Sequence, residues 1–250
     1  MNIKLLNEAL AASRSGKAAA LATNLKTGQQ SLIQGTEVTG NLPVTDVVMA
    51  AITRCWDRDE NDSVMTGEGK IFIEIFNPRL RMLIVGAVHI AQPLARMAAL
   101  TGYLVTIIDP RSAFASTERF PDVTINSDWP DDAMKALKPD RRTAVVTVTH
   151  DPKLDDPGLA EALRSDAFYI GALGSRKTHG RRLDRLRELG FTDEQMARIH
   201  GPVGLKLGAI SPAEIAISIM AEVTQVLRAP VEQAKAERAA AKAASREAAE

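Results

Sequence analysis

The feature that most constrains this chain is an apolar run, RMLIVG at residues 81–86, that passes straight into Gly86-Ala87-Val88-His89-Ile90-Ala91. Apolar residues at successive positions, without alternation, mark a strand covered on both faces. A glycine turn opening a helical pattern over residues 90–100 then reads as the first β-α step of a parallel α/β sheet. The alternation continues. Strands are expected at 103–108, 122–126 and 143–148, with a fifth opening at 168–170. Helices are expected at 131–137 and 157–163, the latter with Asp156 as cap and Pro157 at its first position.

On either side of this stretch the pattern changes. Residues 1–77 read as a small domain, with strands at 18–25, 31–34 and 71–76 and a helix at 45–56 whose Val47, Val48, Ala51 and Ile52 share a face. Asn77-Pro78 marks its end. After residue 175 the chain reads as helical. A helix over 176–189 stops at Gly190, capping boxes stand at Thr192–Gln195 and Ser211–Glu214, and a last helix runs from Pro212 toward Arg228. Residues 231–250 are rich in Ala, Glu, Lys and Arg, and no large apolar residue follows Val231, so a frayed or disordered tail is expected. The expected fold class is α/β: a Rossmann-like open parallel sheet over 78–230, a small α+β N-terminal domain over 1–77, and a helical C-terminal segment.

Composition narrows the function. The 250 residues carry 31 basic and 31 acidic side chains, and the isoelectric point is near 6.9. No global field draws the chain to nucleic acid or an anionic membrane. The longest apolar runs, such as 18–22 and 82–88, fall far below the ~18 residues that span a bilayer, and the first residues lack a signal-peptide pattern, so a cytoplasmic location is expected. A single cysteine, Cys55, excludes an internal disulfide framework and a cysteine-based zinc site within one chain. It sits in an apolar helical stretch and reads as packed rather than reactive.

Four segments carry the candidate chemistry. At Gly86 the position is that of a dinucleotide-binding turn, and Asp109 ends the next strand about 20 residues on, where an acidic residue would contact a ribose. Val88 replaces the second glycine, and its side chain obstructs close approach of a pyrophosphate, so the fold signal exceeds the nucleotide signal. His89 reads either as a site residue at a helix N-terminus or as a histidine bonded to a backbone carbonyl. Thr149-His150-Asp151 follows the fourth strand. In the strand order 3-2-1-4-5, His150 and His89 face each other at the switch point, where His150 with Asp151 could hold a metal or relay a proton; the alternative is that Asp151, Asp155 and Asp156 form turns and caps. Gly171, Gly174, Ser175, Arg176 and Lys177 combine freed amides, a cap and positive charge, which suits an anion or phosphate. Finally, His200-Gly201-Pro202-Val203-Gly204-Leu205-Lys206-Leu207-Gly208 specifies an unusual fixed backbone path, in which His200 and Gly204 are candidate binding residues.

Taken together, VGAVHIAQPLA, VTIIDPR, VTVTHDPKLDD, FYIGALGSRKTHGRRLDRL and IHGPVGLKLGAISPAEIAISIMAE resemble the xanthine dehydrogenase accessory factors, the XdhC/CoxI family, over residues 81–228. The resemblance implies a Rossmann-like domain and a maturation chaperone without turnover of its own. It would bind molybdenum cofactor, as molybdopterin or molybdopterin cytosine dinucleotide, assist its sulfuration, and deliver it to an apo molybdenum hydroxylase such as xanthine or carbon monoxide dehydrogenase. It further implies a homodimer and a cysteine desulfurase as partner. The four segments, with this resemblance added, give a candidate cofactor pocket of Gly86, His89, Asp109, His150, Asp151, Gly171, Gly174, Ser175, Arg176, His200 and Gly204. The chain departs from the family in having Val88 in a G-x-G-H motif, Lys206 where an Asp is common, and no Gly-Gly-Cys segment in residues 1–77. The alternative reading is an NAD(P)-dependent oxidoreductase, and a third is a scaffold that docks an enzyme without binding a small molecule.

Overall fold

A computed structural model of the chain describes residues 2–247, with side chains through residue 232. The chain divides into two compact units, residues 1–79 with 228–250, and residues 80–227.

In the first unit, α1 (Ile3–Arg14) is followed by β1 (Ala19–Asn24), β2 (Gln30–Gln34), β3 (Glu37–Gly40), α2 (Asp46–Arg58), β4 (Asp62–Thr66) and β5 (Gly69–Phe76). The strands form an antiparallel sheet in the order β3-β2-β1-β5-β4. Its two faces are separately packed. Ala20, Ala22, Ile33, Ile71 and Ile73 meet Val48, Ala51, Ile52 and Cys55 of α2, and Leu21 and Leu32 meet Leu5, Ala9 and Ala12 of α1. The strands expected at 18–25, 31–34 and 71–76 and the helix at 45–56 are present. Helix α1 and strands β3 and β4 go beyond what the pattern predicts. In β3 every residue is exposed, so no buried face imposes an apolar alternation, and Asp62–Thr66 is at most half-buried throughout.

The second unit contains β6 (Arg81–Val85), α3 (Ala91–Leu100), β7 (Leu104–Ile108), β8 (Thr124–Asn126), α4 (Pro130–Leu137), β9 (Thr143–Thr147), α5 (Pro152–Arg164), β10 (Tyr169–Ala172), α6 (Arg176–Glu188), α7 (Asp193–Met196), β11 (Ile199–His200) and the start of α8 (Pro212–Glu247). The sheet order is β11-β10-β9-β6-β7-β8 and every pair is parallel. Numbered from β6, this is 3-2-1-4-5-6, the doubly wound order with its switch point between β6 and β9. Alternate residues of each strand feed opposite layers. Met82, Ile84, Ala144 and Val146 pack with Leu94, Ala95 and Ala98 of α3 and with Ala216, Ile219, Met220 and Val223 of α8. Leu83, Val85 and Val145 pack with Ala133 and Met134 of α4, Leu159 and Leu163 of α5, and Leu186 of α6. Each Val, Leu, Ile or Met among these taken out of water contributes roughly 1.5–3 kcal/mol against the entropy of ordering it, and each Ala less.

Two local expectations need correction. Helix α5 starts at Pro152, with Asp151 as its cap accepting from the Lys153 amide; Asp156 lies inside the helix and Pro157 is an interior proline. An Asp followed directly by proline is the stronger start signal, and it also stands at Asp151-Pro152. A sixth strand, β11, extends the sheet; its two residues are too few to show a period. The capping boxes at Thr192–Gln195 and Ser211–Glu214 are both formed. The expected frayed tail over 231–250 falls largely on residues whose side chains lie outside this description, while the backbone of α8 runs to Glu247.

Candidate functional site

Because all six strands run the same way, the segments after β6, β9, β10 and β11 leave the sheet at one edge. Backbone bonds knit their first residues together. The Gly86 amide donates to the Ile108 carbonyl, Val148 to Val85, Leu173 to Thr147, and Val203 to Ala172, at 2.8–3.1 Å. The loops therefore start from a rigid rim.

Gly86 has φ +111°, a region suited to glycine, and a Cβ there would overlap Thr149 Cγ2. The loops after β6 and β9 thus touch at the switch point. Asp109 corrects the sequence reading. It is fully buried, and its Oδ2 accepts from the Ala87 amide at 2.8 Å and Arg111 Nη2 at 2.7 Å, while Oδ1 accepts from the Arg111 amide and Nε. Burial raises its pKa, but the Arg111 and amide hydrogen bonds outweigh this and hold the carboxyl below the usual range. All its acceptor capacity faces inward, so it fixes the Gly86 turn and positions Arg111, whose guanidinium lies over Phe114 at 4.8 Å. None of its surface is open to a ribose in this structure.

His89 and His150 are both exposed, on the loops that follow the two strands flanking the switch point. His150 adopts φ +63°, a left-handed conformation that a non-glycine residue holds only when its surroundings impose it. The source is Asp155 of α5. This nearly fully buried carboxylate accepts from Thr149 Oγ1 at 2.6 Å, the Thr149 amide at 3.3 Å and the His150 amide at 3.1 Å. Asp151 spends its side chain on the Lys153 amide, which is the capping role rather than a relay with His150. Among the described residues no group of three or more His, Cys, Asp and Glu could hold a metal ion.

Behind the β10 loop lies a residue that sequence reasoning missed. Arg182 of α6 is 2% exposed. Its Nη2 donates to the Leu173 carbonyl at 2.9 Å and lies 3.5 Å from Asp155. Burial pushes the Asp155 pKa up and the Arg182 pKa down, each toward its neutral form, and their mutual attraction resists both shifts. This pair ties the β9 loop to the β10 loop. Its neighbour His179 packs against Gly201, and burial, with the Arg182 charge second, lowers its pKa. An arginine among the basic residues of α6 gives no sequence sign of burial. Asp156 is similarly paired with Arg185.

The expected phosphate cradle separates into parts. Gly171 is buried inside β10, where a Cβ would come within 2.6 Å of Val203 Cγ2; its smallness serves packing, so it is not a cradle residue. Ser175 caps α6, accepting from the Thr178 amide at 3.1 Å with its hydroxyl 2.9 Å from Thr178 Oγ1. Gly174 has φ +147°. Arg176 is exposed and borders an open cleft of about 870 Å³.

That cleft opens at this edge. Residues 200–209 and the first turns of α8 line it, with Leu173 and Arg176 from the β10–α6 segment. Gly204, at φ +93°, passes so close to Ser218 that a Cβ would overlap its Oγ. Its amide donates at 2.8 Å to Glu222 Oε2, which also accepts from Tyr169 Oη at 2.5 Å. Burial, with Glu222 second, raises the Tyr169 pKa and keeps the phenol protonated. His200 stacks on Tyr169 with centroids 4.7 Å apart, its Nδ1 3.5 Å from Glu222 Oε1. Tyr169 and Glu222 are functional candidates that the sequence motifs do not single out. The available signal was spacing: Ile215, Ser218, Ile219, Glu222 and Val223 share one helix face, so a carboxylate interrupts an apolar stripe. Cys55 is buried in α2, and burial raises its thiol pKa, as suits a packed residue.

Residues 82–223 match the family model of the XdhC Rossmann domain. Three curated proteins align with the chain. Uncharacterized protein YqeB of Escherichia coli K12 is 33% identical over 164 residues, 64% of this chain and 30% of its own length. The molybdenum cofactor insertion chaperone PaoD of the same strain is 36% identical over 151 residues, 60% and 41% of the two chains. A protein of Bacillus subtilis 168 described as a probable xanthine dehydrogenase component is 32% identical over 157 residues, 62% and 45%. The matched region is less than half the length of each. A crystal structure of a xanthine dehydrogenase from Bacillus halodurans superposes with a TM-score of 0.70 at 26% identity, covering 90% of this chain and 64% of that one. No helix among the described residues is long and apolar enough to cross a membrane.

Proposed function

This chain belongs to the XdhC family, and from that premise we propose that it is a maturation factor that binds molybdenum cofactor and assists its insertion into an apo molybdenum hydroxylase. The carrying observation is that the β6, β9, β10 and β11 loops leave one sheet edge, where the β10 and β11 segments with α8 line a cleft of about 870 Å³ bordered by Arg176, His200 and Gly204. The similarity to a protein named as a molybdenum cofactor insertion chaperone supports the same reading. His89 and His150 present imidazoles at the switch point, where ligands of open α/β sheets bind. The imposed backbone of His150 is the kind of local strain that accompanies functional loops. Arg176 supplies charge for the phosphate of a pterin or pterin dinucleotide at the start of α6. Delivery to a hydroxylase, sulfuration with a desulfurase and action as a homodimer are parts of this proposal.

The geometry weighs against ordinary nicotinamide binding. The Gly86 and Ala87 amides, which could otherwise meet a pyrophosphate, donate to Ile108 and Asp109, and Asp109 has no oxygen left for a ribose. The test is an anaerobic titration of the chain with released molybdenum cofactor, its cytosine dinucleotide form, NAD and NADP, repeated with R176A and H150A. Selective pterin binding, weakened about tenfold in R176A through loss of a charge-assisted contact, is expected. Binding of a nicotinamide nucleotide alone would overturn the proposal.

A further inference from the structure

Resting on the pterin reading above, we infer that Glu222 is the residue that recognises the aminopyrimidinone edge of the bound pterin, the edge that presents an N–H and an exocyclic amino group side by side. Glu222 lines the cleft between residues 200–209 and α8, and its side chain is 15% exposed. Its two oxygens are differently employed. Oε2 is held by Tyr169 Oη at 2.5 Å and by the Gly204 amide at 2.8 Å. Oε1 has no hydrogen bond among the described residues; His200 Nδ1 lies 3.5 Å from it. The carboxylate is therefore pre-oriented through one oxygen while the other keeps acceptor capacity, on a residue that lines the cleft. A mostly buried carboxylate with one unfilled oxygen selects a ligand that turns a donor toward it, and an edge carrying both an N–H and an amino group offers that oxygen a donor in either of two positions.

The rest of the lining fits the remainder of such a ligand. His200, stacked on Tyr169, sets a flat ring next to the carboxylate. Leu173, Pro202 and Val203 provide apolar wall. Arg176 and Lys206, neither in an ion pair among the described residues, supply positive charge for a phosphate. One anchored carboxylate with two unpaired cations in one cleft matches a ligand with a donor edge at one end and an anion at the other. Guanine carries the same donor edge as a pterin, so the two sources must be separated by experiment.

The experiment is a fluorescence titration of the full chain with neopterin monophosphate and with its lumazine counterpart, which replaces the 2-amino group by a carbonyl, and a competition with guanosine monophosphate. The wild-type chain is expected to bind the pterin about tenfold or more tighter than the lumazine, the loss expected when a charged acceptor faces an acceptor instead of a donor. Glu222→Gln keeps an oxygen for Tyr169 and Gly204 but turns an amide N–H toward the cleft, so the preference should vanish or reverse. Equal wild-type affinity for the two heads overturns the assignment without reliance on any variant's folding. Retained pterin preference in a folded E222Q chain overturns it as well, and so does tighter binding of guanosine monophosphate than of the pterin. The two proposals fail separately: cofactor binding and transfer without head-group selectivity removes Glu222 alone, whereas Glu222-dependent selectivity without transfer to an apo-hydroxylase removes the maturation role alone.

Discussion

Arg182→Met should be among the most destabilising single changes in the second unit. Both partners of the Arg182–Asp155 pair are 2% exposed, at 3.5 Å. Removing one partner of a buried pair costs about 3–5 kcal/mol, because the other charge stays buried and uncompensated. Asp155 keeps three hydrogen bonds from Thr149 and His150, and the burial penalty of Arg182 itself disappears, which places the expected loss near the lower end, about 3 kcal/mol. For 150–250 residues each kcal/mol lowers Tm by about 2–4 °C, so thermal unfolding followed by circular dichroism should shift by roughly 6–12 °C. The pH dependence has a definite sign. Burial already raises the folded-state pKa of Asp155, and loss of Arg182 raises it further. A raised carboxyl stabilises the fold only while protonated, below its unfolded value near 4, and that contribution fades as pH rises through the folded value. The gap between variant and wild type should therefore be widest at neutral pH and narrow toward acid. Asp155→Asn added to Arg182→Met should recover part of the loss. A loss under about 1 kcal/mol, or a gap that does not narrow anywhere as pH is lowered from neutral toward the unfolded carboxyl value of about 4, would refute the reasoning.

Other positions give sharper local tests. Gly86→Ala should destabilise by about 2 kcal/mol or more, since φ +111° and the overlap with Thr149 Cγ2 act together; adding Thr149→Ser, which removes that methyl, should restore part of it in a denaturant titration. Asp109→Asn should lower stability at pH 7 by about 1–3 kcal/mol. Because the folded pKa of Asp109 is depressed, the wild-type advantage is present above about pH 4 and lost as pH falls through the folded value, and unfolding curves across that range should converge. Ser175→Ala should cost about 1 kcal/mol as a lost cap while leaving cofactor affinity unchanged; a tenfold fall in affinity would restore the hydroxyl to the binding site.

What the sequence by itself determined is whatever local periodicity and turn chemistry encode. Strands β6, β7 and β9 are short apolar runs between helical patterns, and their parallel order with a switch point between β6 and β9 follows from that alternation. Gly86, the Thr192 and Ser211 caps, and the placement of His89, His150, Arg176 and His200 at one edge follow with it. Tertiary structure alone decided which polar groups face inward. Asp109 sits where a ribose-binding carboxylate belongs, yet its direction is set by Arg111 and the Ala87 amide. Ser175 and Gly171 look like cradle residues in sequence and serve as a cap and a packing gap. Arg182 carries no mark among its basic neighbours, and Glu222 meets Tyr169 across 53 residues of chain. A buried polar side chain is satisfied by whatever the fold brings opposite it, and a periodicity, which records only which face is apolar, does not specify that partner.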